Sequence, residues 1–252
     1  MRHFIALFGL TLSVSTASAQ SSSEHIASGD RAYAALTAEA ALEHFEKAIE
    51  ADPRRYEALW KASRSAVDIG SYLPDAARGK RLFTNAEQYA RRAIAADRSG
   101  AEGYFSLSRA LGKTALTQSA RGRVRFATEI RTHALKCLEI APRHAGCLHV
   151  MGMWNAEVMR LNSVTRMVAR NILGGRVFGS ASWKEAVRYM EASVTSEPER
   201  IVHRVDLAAI YSDIGDKPRA RNEFETALRL PVTDFNDRGY QAQARNWLAE
   251  HR

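Results

Sequence analysis

The strongest constraint on this chain is a pattern that recurs along it. A small residue is followed four positions later by a bulky one and three positions after that by another small one, and a helix stop near proline follows. Ala41-x3-Phe45-x2-Ala48-x4-Pro53 is a full copy, and Ala220-x3-Phe224-x2-Ala227 before Leu230-Pro231 is a second. Ala86-x3-Ala90-x2-Ala93, Ile130-x3-Ala134-x2-Cys137-x4-Pro142 and Ala186-x3-Met190-x2-Ser193-x4-Pro198 are looser copies. Upstream of each lies another amphipathic segment with a compact pair: Ser28-Gly29, Ala62-Ser63, Leu107-Ser108, Met151-Gly152 and Leu207-Ala208. Spacings of three and four are helical. Small side chains let two antiparallel helices approach closely, the bulky residue fills the gap against the next hairpin, and proline forces the turn. One such hairpin leaves apolar surface wet, so hairpins must stack. The pattern predicts an all-α solenoid of about five hairpins, at about 22–55, 56–100, 101–144, 145–200 and 201–234. A capping helix follows over 237–251, with Tyr240, Ala244, Trp247 and Leu248 facing the stack.

Spacing varies between the copies. From Gly29 to Ala41 and from Ala208 to Ala220 the gap is 12 residues, but the middle three hairpins carry inserts of 11, 10 and 22 residues. All fall between first and second helix, on one edge of the array, where loops carrying function are expected. In the longest insert Leu161, Val164, Val168 and Ile172 recur at helical spacing, with Arg166 and Arg170 off that stripe, so it contains its own helix or prolongs the preceding one. Gly174-Gly175 and Gly179-Ser180 break the chain before Trp183.

Residues 1–19 read as an address. Arg2 and His3 precede an apolar run from Phe4 to Val14, and Ala17-Ser18-Ala19 supplies the small-x-small cleavage pattern. That run is too short to span a bilayer. The leader predicts export across the inner membrane to a periplasm, leaving residues 20–252 as the repeat domain. A hydrophobic share of 46% with 25% charged residues excludes a disordered chain, and two cysteines exclude a disulfide-dense scaffold.

The hairpin pattern resembles the tetratricopeptide repeat. From Cys137 onward the chain is also similar to the regulator-of-microtubule-dynamics family, whose shared part is a divergent tetratricopeptide domain. The residues that carry the likeness are Pro142-x-His144-x-Gly146, Gly152-x-Trp154-x3-Val158-x2-Leu161, Ala169, Leu173-Gly174, Ala181-x3-Glu185-Ala186, Glu197-Pro198, and Leu230-Pro231 with Thr233 and Asp237. The resemblance implies this fold and a binding role. The family's animal members are intracellular and associate with microtubules or organelle membranes, and some are described as moving phospholipids. An exported chain meets no microtubule, so that process is not carried over.

In such superhelices ligands contact first-helix positions around the compact pair. Here these are Tyr33, Trp60, Arg64, Phe105, Arg109, Lys113, His149, Met153, Glu157 and Arg160. Aromatic side chains give contact area at low entropy cost, and arginine grips carboxylate or phosphate bidentately. The groove therefore suits an acidic peptide segment or an anionic lipid head group; the plainer alternative pairs these arginines with Asp68 and Glu157. Cys137, His144, Cys147 and His149 fall close together, but their spacing matches no structural zinc pattern, and a Cys137–Cys147 disulfide suits an oxidising compartment better. Basic runs at Arg78-Gly79-Lys80-Arg81, at Arg121, Arg123 and Arg125, and at Arg166, Arg170 and Arg176 form a positive edge facing anionic lipid or acidic polymer, or else a solvated face.

No phosphate-binding glycine loop, nucleophile elbow or His-Glu-x-x-His helix is present, and no cofactor or metal is implied. Nucleic acid is not an expected partner. The sequence reads as a non-catalytic adaptor that takes a protein or peptide partner in its groove. The alternative is a carrier enclosing a lipid tail, and a tunnel lined by Leu, Met, Phe and Val would mark it.

Overall fold

The computed structural model describes residues 12–115, 118–171 and 176–251, with side chains from residue 21 onward except at positions 120, 121 and 170. The expected leader therefore lies largely outside the described residues, as do Ile172, Leu173 and Gly174-Gly175.

Twelve α-helices and no strand occur among the described residues. The first hairpin is α1 (Leu12–Ala34) with α2 (Ala38–Ala51), and the second is α3 (Tyr56–Tyr72) with α4 (Ala76–Ala96). The third is α5 (Ala101–Ala115) with α6 (Ala120–Ile140). In the fourth, α7 (Ala145–Arg160) packs on α9 (Trp183–Ser196), and α8 (Ser163–Asn171) and a 3-10 turn (Arg176–Ser180) lie between them. Helices α10 (Ile201–Asp213) and α11 (Lys217–Arg229) make the fifth, and α12 (Asp237–Glu250) packs on both.

The recurring residues interlock as their sizes demand. Ala41, Phe45 and Ala48 are fully buried, and so are Ala186, Met190 and Ser193. Any Cβ at Gly29 would run into the Phe45 ring, and one at Gly152 would run into Met190. Phe45 thus seats on the glycine of its own hairpin rather than only filling space against the next one. Where serine replaces that glycine, its hydroxyl is satisfied across the helix pair: Ser63 Oγ donates to Ala86 O at 2.8 Å. The turns between hairpins follow from Pro53, Pro142 and Pro198. Each preceding residue is pushed out of the helical region, with Asp52, Ala141 and Glu197 at φ −140°, −132° and −135°.

The first two inserts are not loops. They lengthen helices instead, so that α4 and α6 have 21 residues each against 14 in α2. Asp75 caps α4 by accepting from the Ala77 and Arg78 amides, and Ser119 caps α6 through Gly122. The basic runs therefore ride on helical turns. The third insert does contain its own helix. Of the expected stripe, Leu161 packs on Trp154 and Val158 and Val168 is half-buried, but Val164 is exposed, and Ala169, off that stripe, is buried with Trp154, Val158 and Phe178.

A disulfide joins Cys137, near the end of α6, to Cys147 in the first turn of α7, with Cα atoms 6.3 Å apart and both side chains fully buried. His144 completes this corner, its Nδ1 accepting from the Cys147 amide at 3.2 Å and its Nε2 lying 3.2 Å from Glu102.

Two of the hairpins share one unusual turn. Gly215, between α10 and α11, has φ +81°, and Leu36 holds the equivalent place between α1 and α2 at φ +57°. A left-handed leucine is strained by its Cβ. Leu36→Gly should raise unfolding free energy by up to about 1 kcal/mol in denaturant titration, glycine's extra unfolded-state entropy offsetting part of the relief. Reduction of the disulfide, or Cys137→Ala with Cys147→Ala, should lower stability by about 2–3 kcal/mol, because a short loop is released in the unfolded chain.

Candidate functional site

One polar residue after another along the first helices meets at a common point on the inner face. Tyr33 on α1 donates to Asp68 Oδ2 of α3 at 2.9 Å. Arg109 on α5 donates to Asp68 Oδ1 at 2.8 Å. His149 on α7 lies 2.7 Å from Asp206 Oδ2 of α10, and its ring centroid is 4.9 Å from that of His203. The segment after α11 closes the circle. Asp234 accepts from Tyr33 at 3.3 Å and from Arg200 at 3.2 Å, and Phe235 meets the Tyr33 ring edge-on at 5.1 Å. Asp237 fixes that segment by accepting from the Thr233 and Asp234 amides at 2.8 and 2.7 Å.

Burial magnifies these charges. Asp68 is 1% exposed, and burial together with Asp68 pushes the Tyr33 hydroxyl far above its ordinary range. Burial opposes the charge of Arg109, yet the Asp68 carboxylate outweighs it and keeps the guanidinium firmly protonated. Tyr240 is raised by burial and by Asp206. Burial, then neighbouring His149, drives His203 down to about 2, so it stays a neutral ring whose buried Nδ1 has no hydrogen-bond partner.

Two cations at this cluster form no ion pair among the described residues. Arg64 lies 3.6 Å above the Tyr33 ring and 5.2 Å from that of Trp60, with its buried Nε unpartnered. Lys113, one turn beyond Arg109, forms no ion pair; burial, then Arg109, lowers its pKa. Its ammonium is thus held where its charge is disfavoured.

The sequence-predicted positions divide into two groups. Tyr33, Arg64, Arg109 and Lys113 converge on the cluster, Trp60 flanks it, and His149 enters it through Asp206. Phe105 packs beside the disulfide, its ring 4.9 Å from that of His144. Met153 packs into the C-terminal core. Glu157 and Arg160 pair with each other, and Arg160 also donates to Asp213 at 2.9 and 2.6 Å. His149 takes no part in the corner formed by Cys137, His144 and Cys147, whose sulfurs are bonded to each other. The sequence reading missed Arg200, His203, Asp206, Asp234 and Tyr240. It also missed a shallow depression of about 670 Å³ lined by Trp183, Val187, Ile214 and Arg219, away from the cluster.

The model of the regulator of microtubule dynamics protein 1-3 family matches residues 26–252. Regulator of microtubule dynamics protein 3 of Xenopus laevis is 24% identical over 183 residues, 72% of this chain and 39% of that protein. Regulator of microtubule dynamics protein 1 of Bos taurus is 24% identical over 194 residues, 76% of this chain and 61% of that protein. The chain thus spans between two fifths and three fifths of these relatives' length. Among solved structures, a thermophilic TPR protein of Thermus thermophilus superposes with a TM-score of 0.62 at 20% identity, covering 89% of this chain and 99% of that one. Pseudomonas aeruginosa pilF gives a TM-score of 0.55 at 13% identity, covering 93% of each chain. Hairpin order, inner-face closure and the family match agree: this chain belongs to the regulator of microtubule dynamics protein 1-3 family and is built as a tetratricopeptide-type helical solenoid.

Proposed function

We propose that this protein is a non-catalytic binding protein whose inner face takes an acidic segment of a protein partner. The observation that carries the reading is the two cations that form no ion pair among the described residues, Arg64 and Lys113, beside a cluster where Arg109 is matched by Asp68 and Arg200 by Asp234. Arg64 and Lys113 are half-buried, and a partly desolvated cation without an ion-pair partner is relieved by an incoming carboxylate. The lining is ionic and aromatic, which suits a peptide carboxylate better than an acyl chain. Asp234 with Phe235 already illustrates an acidic-aromatic pair seated beside Tyr33.

Export is part of the proposal. It rests on the leader-like residues 1–19, and a disulfide between buried cysteines suits an oxidising compartment. No helix among the described residues is long and apolar enough to cross a membrane.

Fluorescence anisotropy with a labelled Asp/Glu-rich peptide tests the site. Arg64→Gln with Lys113→Gln should weaken binding at least about tenfold, since two charge-assisted contacts are removed. Equal affinity in wild type and double variant would remove this face from the proposal. A second measurement uses the sign of the Lys113 shift. Its folded-state pKa lies below that of the unfolded chain, so the protonated form destabilises the fold at neutral pH. Lys113→Met should therefore raise the melting temperature at pH 7 while reducing peptide affinity. That gain should fade as pH climbs from the folded-state pKa towards 10.5.

A further inference from the structure

The corner between the third and fourth hairpins gathers chemistry that the inner face does not use. Cys137 comes from near the end of α6, His144 caps α7, and Cys147 lies in the first turn of α7. The two sulfurs and a nitrogen of the His144 ring all lie within 4.8 Å of one another. Their spacing in sequence follows no zinc pattern; the turn at Pro142 brings them together.

The imidazole is already oriented as a ligand. The Cys147 amide donates to His144 Nδ1 at 3.2 Å, so Nδ1 carries a lone pair and the proton of the neutral ring sits on Nε2. Nε2 in turn lies 3.2 Å from Glu102 Oε1 and donates to it. Metal-binding histidines are held in this way, one nitrogen free and the other donating to a carboxylate. The Cys147 amide does not depend on Nδ1, because it also donates to the His144 carbonyl at 3.0 Å. Tyr104, Phe105 and Leu138 pack around the sulfurs and keep the corner apolar. A shallow depression of about 520 Å³, lined by Ala141, Pro142, Arg143 and His144, opens beside the ring and gives a way in. Arg143 on its rim is exposed, so solvent screens its charge.

We propose that this corner is a redox-gated metal site, in which Cys137 Sγ, Cys147 Sγ and His144 Nδ1 hold one thiophilic cation of the Zn2+ type once the disulfide is opened. A dithiol opens it: the bond between the sulfurs breaks as they take up two electrons and two protons, and the dithiol leaves as its own disulfide. Metal binding then releases both thiol protons to water as two thiolate–metal bonds form. A tetrahedral ion with bonds of about 2.3 Å to sulfur and 2.0 Å to nitrogen holds its donors about 3.5–3.8 Å apart. The sulfurs reach that spacing by turning their own side chains, with the Cα atoms left 6.3 Å apart. A thiolate at Cys147 sits at the positive end of the α7 dipole. Three protein ligands leave the fourth position to water. Bond and metal exclude each other, since a disulfide offers no thiolate. None of these groups belongs to the Arg64 and Lys113 site, so the inference does not rest on the acidic-peptide reading.

The test titrates Co2+ and then Zn2+, without oxygen, into the full chain after reduction with dithiothreitol and removal of the reductant by gel filtration. Reduced protein should take up one Co2+ with the near-ultraviolet absorption of cobalt–thiolate bonds, lose that absorption to one equivalent of Zn2+, and melt at a higher temperature with Zn2+ than without. Protein with its disulfide intact should do none of these. His144→Ala should weaken Zn2+ binding at least about tenfold, and Glu102→Gln should weaken it about tenfold while leaving the cobalt–thiolate absorption in place. Glu102 stands on α5, so only a folded corner registers its loss. Undiminished binding in either variant, equal cobalt absorption with the disulfide intact, or no uptake by reduced protein that keeps its helical circular dichroism would each overturn the inference. Where reduction costs helix, Zn2+ should restore it in wild type, and failure to restore it counts against the site equally.

Discussion

Everything in this molecule depends on how closely two antiparallel helices can approach. Gly29 beneath Phe45 and Gly152 beneath Met190 set that distance, and fully buried alanines at 41, 48, 86, 90 and 93 keep it along the stack. Close approach makes each hairpin a thin, rigid plate whose apolar faces must be covered by neighbours. Stacking then brings first helices side by side, at most one or two residues of each reaching a given point on the inner face. Tyr33, Asp68, Arg109 and Asp206 can meet only because four separate helices are held at this pitch. A larger residue at position 29 or 152 would therefore disturb the polar cluster from a distance, through helix spacing rather than contact.

That geometry also sets how charge is distributed in the cluster. Asp68 accepts from both Tyr33 and Arg109, so its charge is fully used by the fold, and Asp234 is similarly used by Tyr33 and Arg200. What remains are two cations, Arg64 and Lys113, that form no ion pair among the described residues. His203 adds no charge, because burial holds it neutral.

Much of this was legible in the sequence. The small-bulky-small pattern gave the hairpins because its physics is local: a helix period, a size alternation and a proline stop. Tyr33, Arg64, Arg109 and Lys113 were legible too, since first-helix positions beside the compact pair face inward in any such array. Asp206, Arg200 and Asp234 were not. Their role comes from the array bending far enough to bring residue 234 against residue 33, and that curvature sums small rotations no single repeat encodes. The first two inserts were misread as loops for a related reason. Residues 76–86 contain good helix formers, and with Asp75 as a cap the cheapest place for added chain was a longer helix.

The residues that carry the family likeness point to what such a chain most needs to keep. Gly152 admits Met190, Trp154 donates to the Ala127 carbonyl at 2.8 Å, and Val158 and Ala169 bury the insert. In the tail, Gln241 donates to the Leu230 carbonyl at 3.0 Å, while Asp237 holds Thr233 and Asp234 by their amides. None of these side chains offers reactive chemistry; all hold the fourth hairpin, its insert and the closing segment in register. In this chain they secure closure, a solenoid pinned so that its tail lies against its first helix. The cations at Arg64 and Lys113 fall outside those signature residues. Substitutions at these two positions can therefore alter the inner face while the closed frame stays fixed.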